Sequence, residues 1–586
     1  MVNMAWYQRT CFKAFIVSFV LGVCFIPVAA FADAGADSGE DGQAAAAIAE
    51  GLAQKRAKAP EIEIKERIHK KIPRPALPEG PTLITEIRVI GSTLIAEESI
   101  EKLKNDFENR KLTARELQDC ADLVTRAYSR EGYITSYGYI SDPSKIKSGI
   151  LEIMVKEGRT GTITIRGNEN FSTEVLRKKI TLREGGYFNF RQLMLDVYRI
   201  NRHPRRKMAV SCDPNIATNL TDVVLTVNDK SPWVTMFQAD NYGSEYIGYE
   251  RYKIYVTNYN LTGNDDSLQF KAQATEGDAH RLFDFDYFIP LNNDWKFEFY
   301  YMPYKLEDYL CADNVDEDFE KHARKWYFFF YQSLVNEPDH ELVSQYGFVY
   351  KELNWWKFGE RKARDCFSAL MWGIDWNRAD RYGRWVVSND VEVGLPRFLG
   401  SSTAEDDSCS VAGAGGGYKK NHLVVARRQR IYKGVDFLGK MHWQVSSQAL
   451  TGVNYFSMGG FMGVIDNRGY PRAQGPGDTG LSFTGGFSFP AYGLSNKINT
   501  PFSKTKLYDN LKLFTFYDWG QSVLKNPQPD QNERITLASA GLGFTLAIPD
   551  RAVQIRLDVG WPLTTDKQKP KDGDNVHTWW AFTKVF

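Results

Sequence analysis

The sequence predicts a transmembrane antiparallel β-barrel of about sixteen strands preceded by two α/β domains. Three observations carry the prediction: an export signal, a supersecondary unit that occurs twice in tandem, and period-two alternation running from Pro232 to Phe586. Composition agrees, since 14% aromatic residues and 47 glycines favour many short strands joined by turns over helical bundles. With 73 basic against 72 acidic side chains the formal charge is +1, which implies neither a nucleic-acid surface nor a polyacidic partner.

At the N-terminus, Arg9 and Lys13 precede an apolar run from Ala14 to Ala32 that ends in Ala30-Phe31-Ala32, an A-x-A cleavage pattern before Asp33. Residues 1–32 therefore read as a removed signal peptide. A lipoprotein signal at Leu21-Gly22-Val23-Cys24 is the alternative, but Val23 is large for that site and the apolar run continues past Cys24. Beyond the signal no apolar stretch reaches the roughly 18–20 residues of a spanning helix, so a membrane role requires a barrel.

Residues 33–81 form a periplasmic leader. Ala44 to Lys58 has high helix propensity and stops before Pro60; Glu61 to Lys71 is charged, and the prolines of Ile72–Pro78 make an extended linker. Cys120, Cys212, Cys311, Cys366 and Cys409 remain after the signal, an odd and widely spaced set without a C-x-x-C motif.

From 82 to 157 the pattern is compact α/β. Ile84, Ile87, Val89 and Ile90 mark a strand ending at Gly91, Ile95 to Phe107 suits a helix, and Thr113 with Glu116 gives a capping box before a second one. Leu117, Cys120, Val124 and Tyr128 share one face of that second helix, which makes Cys120 a core thiol. Strands Tyr133–Ile140 and Ile150–Val155 complete a β-α-α-β-β order. Residues 158–230 repeat it, with strand Thr162–Arg166, helices near Thr173–Ile180 and Phe190–Ile200, and strands Lys207–Ser211 and Asp222–Val227.

Residues 231–586 alternate. Leu268, Phe270, Ala272 and Ala274 interleave with Gln269, Lys271 and Gln273; Trp295, Phe297, Phe299 and Tyr301 with Lys296, Glu298 and Tyr300; Val553, Ile555, Leu557 and Val559 with Gln554, Arg556 and Asp558. A soluble sandwich also alternates, but this run is longer than one sandwich core would hide, and an exported chain of this kind must close its edges in the bilayer. At roughly 20–25 residues per strand and connection, sixteen strands fit. The terminal His-Thr-Trp-Trp-Ala-Phe-Thr-Lys-Val-Phe puts Trp580, Phe582 and Phe586 on one face, as a last strand and assembly signal would, with Lys584 interrupting it.

Other constellations carry less. Gly413-Ala414-Gly415-Gly416-Gly417 lacks the Lys-Ser/Thr of a nucleotide loop and reads as flexible loop or strand. The acidic residues Glu307, Asp308, Asp313, Asp316, Glu317, Asp318 and Glu320 do not match a calcium loop and read as a solvated turn. With neither an H-E-x-x-H site nor a Gly-x-Ser-x-Gly elbow, the sequence offers no catalytic constellation, and no cofactor or metal is expected.

Gly132–Ser136, Ser148–Arg159, Asp240–Ser244 and Asn260–Asp266 resemble segments of the two-partner secretion transporters, the haemolysin or adhesin secretion and activation proteins. That resemblance implies two polypeptide-transport-associated (POTRA) domains before a sixteen-stranded outer-membrane barrel, and a long inward-folded loop whose tip is Arg468-Gly469-Tyr470, followed by Gly477-Asp478-Thr479-Gly480. Asn467 stands where the family usually has an apolar residue. Phe516-Tyr517-Asp518-Trp519-Gly520 resembles the family's inward-facing strand; with Leu511 and Leu513 outward, parity puts Lys512, Phe514, Phe516 and Asp518 in the lumen. The resemblance further implies that Asp518 pairs with Arg468.

The expected function is an outer-membrane pore that exports a large partner exoprotein of haemolysin or adhesin type. Its POTRA domains would bind the unfolded substrate by β-augmentation along an exposed sheet edge, and folding outside the cell would drive transport. By the same resemblance the Ala44–Lys58 helix would plug the resting pore. Outer-membrane lipid is the second expected partner, nucleic acid is not one, and a monomeric pore is expected. The alternatives are an outer-membrane protein assembly factor of the same superfamily, which typically carries three or five POTRA domains, and a porin with a periplasmic extension.

Overall fold

The computed structural model describes residues 62–64, 74–244, 248–276, 280–307, 319–461, 466–494, 497–528, 531–563 and 568–586. The expected signal peptide, the Ala44–Lys58 helix and Asp308–Asp318 of the acidic cluster lie outside the described residues. Two small α/β layers precede a closed barrel, as two POTRA domains precede an outer-membrane pore.

Strand β1 (Ile62–Ile64) belongs to the leader. The first POTRA domain comprises β2 (Thr82–Ile84), β3 (Glu86–Ile90), α1 (Glu97–Phe107), β4 (Arg110–Leu112), α2 (Ala114–Arg130), β5 (Tyr137–Ile140) and β6 (Ile150–Lys156). β6 lies between β3, parallel to it, and β5, antiparallel to it. The capping box of α2 is complete: Glu116 N donates to Thr113 Oγ1 at 3.3 Å and Thr113 N to Glu116 Oε2 at 2.8 Å. Leu117, Cys120, Val124 and Tyr128 are all buried against the sheet. Burial pushes the Cys120 thiol up to about 12, so it stays a neutral core thiol.

The second POTRA domain comprises β7 (Arg159–Arg166), α3 (Thr173–Lys178), α4 (Phe190–Asn201), β8 (Arg206–Asn215) and β9 (Leu220–Asp229). Asn189 caps α4 by accepting from Gln192 N at 3.0 Å, and Leu193, Val197 and Ile200 bury its apolar stripe. The first domain adds to the expected five-element order the short antiparallel pair β2–β4 and a 3-10 helix at Pro143–Ser148, and its β5 starts at Tyr137 rather than Tyr133. The β8 edge, by contrast, is not open: β1 pairs parallel with it from Ile62↔Val210 to Ile64↔Cys212, giving the sheet order β1-β8-β9-β7.

Two of the segments quoted for the family resemblance form the joint between these domains. Glu157 takes hydrogen bonds from Thr93 N and Oγ1, both at 2.6 Å, from Tyr128 OH at 2.7 Å and from Leu94 N at 3.1 Å. Burial alone would raise its carboxyl, but these donors hold it below the usual range. Phe190 N then donates to Gly132 O at 2.9 Å, and Asn219 Nδ2 to Glu157 O at 2.6 Å.

The barrel strands are β10 (Trp233–Asp240), β11 (Arg251–Asn258), β12 (Ser267–Thr275), β13 (His280–Pro290), β14 (Trp295–Glu307), β15 (Phe319–Glu337), β16 (His340–Lys357) and β17 (Glu360–Ala379). They continue with β18 (Gly383–Gly394), β19 (Lys419–Tyr432), β20 (Val435–Ser446), β23 (Thr479–Pro490), β24 (Leu511–Val523), β25 (Arg534–Ile548), β26 (Val553–Pro562) and β27 (His577–Val585). Each pairs antiparallel with its neighbour, and β10 closes on β27 from Met236↔Val585 to Asp240↔Ala581, so no edge is left for lipid to face. Because the strand number is even, the barrel begins and ends at the POTRA side, where Phe586 N donates to Thr235 O at 2.8 Å.

Alternation sorts the side chains as period two requires. Phe285, Phe297, Phe299, Tyr301, Trp326, Phe328 and Phe330 face outward in neighbouring aromatic pairs. Lys271 and Asp284 face the lumen and pair at 3.0 Å. Gly413–Gly417 lies in the loop between β18 and β19.

Candidate functional site

Between β20 and β23 the chain folds back into the lumen, with a hairpin of β21 (Phe456–Met458) and β22 (Gly475–Gly477) at its base. Asp478 fixes the loop's exit by accepting from Leu450 N at 2.6 Å and from Lys525 N at 2.7 Å. Gly480 and Gly520 clear room for that hairpin: a Cβ on Gly480 would stand 2.1 Å from the Phe456 ring, and one on Gly520 would stand 2.5 Å from Met458 Sδ.

At the tip, Arg468 lies between two strand carboxylates. Its Nη2 donates to Asp518 Oδ1 at 2.7 Å and its Nε to Asp518 Oδ2 at 2.9 Å, the two-pronged geometry that suits a planar guanidinium. Its backbone N also reaches Asp518 Oδ2 at 3.1 Å. Nη1 turns to Asp558 on β26 at 3.0 Å, and Asp558 in turn takes Arg556 Nε at 2.7 Å. The guanidinium lies 3.4 Å from the Phe516 ring centroid, and Trp579 Nε1 donates to Arg468 O at 2.8 Å. Two cations and two anions therefore meet in one neutral cluster in which Arg468, Asp518 and Asp558 are buried. Such a cluster is tolerable only with this degree of pairing, because each ion left alone would bear an uncompensated desolvation cost.

Gly469 permits the approach: a Cβ there would stand 2.7 Å from Pro562 N and from Trp561 C, backbone atoms that cannot swing away. Tyr470 is fully buried in a cluster with Phe456, Met458, Val424 and Leu537. Lys440 Nζ pairs with Asp466 at 2.9 Å, and Arg472 Nη1 donates to Tyr242 O at 3.0 Å, so the loop touches the wall on several sides. Asn467 is buried and its side-chain amide has no hydrogen-bond partner among the described residues.

Trp580 and Phe582 face outward on β27 while Trp579 and Ala581 are buried inside; Phe586 is exposed at the end of the strand. The loop tip and Phe516, Asp518 and Gly520 are thus brought together, whereas these three C-terminal aromatics lie on the other face of the wall. Sequence reasoning missed Asp558 and Arg556 as partners. Their signal was present in the alternation of Val553 to Val559, which already marked both as members of the charged face.

A second charged joint ties the second POTRA domain to the barrel. Arg206, at the start of β8, chelates Asp265 of the turn between β11 and β12, and Lys179 Nζ reaches the same carboxylate at 2.9 Å. His203 Nδ1 accepts from Arg205 N at 3.2 Å while Nε2 faces Tyr259 O at 3.2 Å, an arrangement that fits the neutral ring with its proton on Nε2. Burial and the neighbouring Arg206 push this imidazole down to about 4. Burial opposes ionisation of Asp265, but Arg206 and Lys179 outweigh it and hold that carboxyl well below the usual range.

Three family models match the chain: a POTRA domain of ShlB type over residues 82–158, a surface-antigen variable-number repeat of POTRA kind over 159–230, and the haemolysin secretion/activation protein ShlB/FhaC/HecB over 219–352. The outer membrane transporter CdiB of Dickeya dadantii strain 3937 is 23% identical over 496 residues, 83% of this chain and 84% of the relative. Among solved structures, CdiB from Escherichia coli superposes with a TM-score of 0.70 at 18% identity, covering 86% of this chain and 91% of that one. CdiB from Acinetobacter baumannii gives 0.63 at 14% identity, covering 99% and 98%.

Proposed function

We propose that this chain is a two-partner secretion outer-membrane transporter of the POTRA-barrel superfamily, an exporter of a partner protein, and that its partner is a large exoprotein of haemolysin or adhesin type. The protein resides in the outer membrane of a Gram-negative bacterium with its POTRA domains in the periplasm. The observation that carries the fuller reading is the β1–β8 pairing. The second POTRA sheet already accepts an added strand, which is what recognition of an extended polypeptide by main-chain hydrogen bonds requires. The substrate's N-terminal domain replaces β1 at this edge, enters the barrel as an extended chain and folds outside, which makes return unfavourable.

The Arg468 cluster supports a latch rather than a reacting centre. It fixes the infolded loop at β24 and β26, and so sets the resting width of a monomeric pore. Culture-supernatant proteins from the source cell, compared with and without this chain and with its Arg468→Ala variant, test the reading. Loss of one or two large secreted proteins with a normal outer membrane supports it; a broad loss of outer-membrane proteins with no missing exoprotein contradicts it and favours barrel assembly.

A further inference from the structure

Strands β23 and β24 are joined on the POTRA side by residues 491–510, a longer connection than the other turns at that end of the barrel. Its second half is a built hairpin. Thr500 N donates to Thr505 O at 2.8 Å and Leu507 N to Ile498 O at 3.0 Å. Asn510 Nδ2 donates to Thr500 Oγ1 at 2.7 Å and to Thr505 Oγ1 at 2.6 Å. The turn between β25 and β26 pins it from the side. The Asp550 carboxylate accepts from Ser503 Oγ at 2.8 Å and from Lys504 N at 2.7 Å, and Arg551 Nε donates to Phe502 O at 3.4 Å.

These bonds display Phe502 where water alone would not favour it. The residue is 78% exposed, and its backbone is left-handed with φ 59°, a region costly for a side chain that carries a Cβ. Tyr492 and Ile498 are exposed beside it in sequence, and Tyr492 OH donates to Lys433 O at 2.7 Å on the next turn, where Tyr432 is exposed as well. This rim continues the outward row of Phe483 and Phe487 on β23, so it meets the inner leaflet of the outer membrane. Its charge is unbalanced: Lys497, Lys504, Lys506 and Arg551 stand against Asp509 and Asp550, and Asp550 is turned to the hairpin backbone.

We propose that the 497–510 hairpin is an anchor for anionic phospholipid of the inner leaflet, with Phe502 entering between acyl chains and Lys504 and Lys506 taking the phosphates. Rings set at the headgroup level with cations beside them suit the boundary between hydrocarbon and phosphate. A passing polypeptide offers these lysines no fixed anion, whereas phosphates line the leaflet along the whole rim. The anchor steadies β24, which carries Asp518, and β23, which follows the infolded loop. It rests on the outer-membrane location and is independent of what is exported.

The full chain is placed in nanodiscs of phosphatidylcholine, with and without phosphatidylglycerol, and hydrogen exchange is followed in residues 497–510. Phosphatidylglycerol is expected to slow exchange there and to leave the 395–418 loop, at the opposite end of the barrel, unchanged. Lys504→Gln and Lys506→Gln each reduce the slowing by about fivefold, the arginine variants at both positions retain it, and Phe502→Ser weakens it in the same discs. Equal exchange in the two kinds of disc overturns the proposal and leaves the hairpin to a protein partner. Slowing of the same size at 395–418, or slowing that survives in the double glutamine variant, also overturns it.

Discussion

The lumen and the periplasmic mouth each hold a separate segment against the barrel with an arginine–carboxylate pair, and the two joints have opposite charge ratios. In the lumen one loop cation, Arg468, lies between two wall carboxylates, Asp518 and Asp558. At the mouth one turn carboxylate, Asp265, lies between two domain cations, Arg206 and Lys179. In each joint the shared ion cannot be removed without leaving two like charges facing each other, whereas either outer ion has a substitute. The lumenal joint is neutralised by Arg556, while the mouth carries a surplus positive charge and a neutral His203 that can add another.

Arg468→Ala has the largest expected effect. It strands Asp518 and Asp558 without their shared cation, a loss of about 3–5 kcal/mol for a buried pair, and the loop leaves the wall. The readout is abolished export together with faster proteolysis between Asp466 and Asp478. Asp265→Asn comes next, at about 2–3 kcal/mol, because Arg206 and Lys179 then repel across a shielded gap. Cross-linking of the second POTRA domain to the 259–266 turn is expected to fall while the barrel stays folded.

Acidification sharpens the contrast. The depressed folded value of His203 means that its contribution is complete above the ordinary imidazole range, near 6.5, and is lost as pH falls through about 4. Asp265 is likewise depressed, so its contribution begins to fade only below the ordinary carboxylate range, near 4. Hydrogen exchange in the 259–266 turn is therefore expected to rise in two stages on acidification, and His203→Gln removes the upper one. The smallest effect is Asn467→Leu, which takes an unpartnered amide out of a buried site and raises thermal stability by about 1 kcal/mol, read as a higher melting temperature with export intact.

Legibility in the sequence followed local pattern. The capping box at Thr113, the α2 stripe and the lumen parity of Phe516 and Asp518 are all set by neighbours within a few residues, and periodicity displays them. The sixteen strands follow from length and alternation for the same reason. What pattern could not display were meetings between distant segments. Arg468 and Asp558 are brought together by loop return, Asp265 meets Arg206 only when the second POTRA domain docks, and three leader residues cover the β8 edge. Asp265 stood inside a segment quoted for its family likeness, yet nothing in its own neighbourhood names an arginine on a different domain.

Hydrogen exchange of residues 466–478 in the intact barrel, measured for the unsubstituted protein and for Arg468→Ala, Asp518→Asn and Asp558→Asn, tests the latch most directly. Slow exchange that becomes fast in Arg468→Ala, and intermediate in each single asparagine variant, is the predicted result. Equal protection in all four proteins would show that the loop is held without the arginine and would contradict the account.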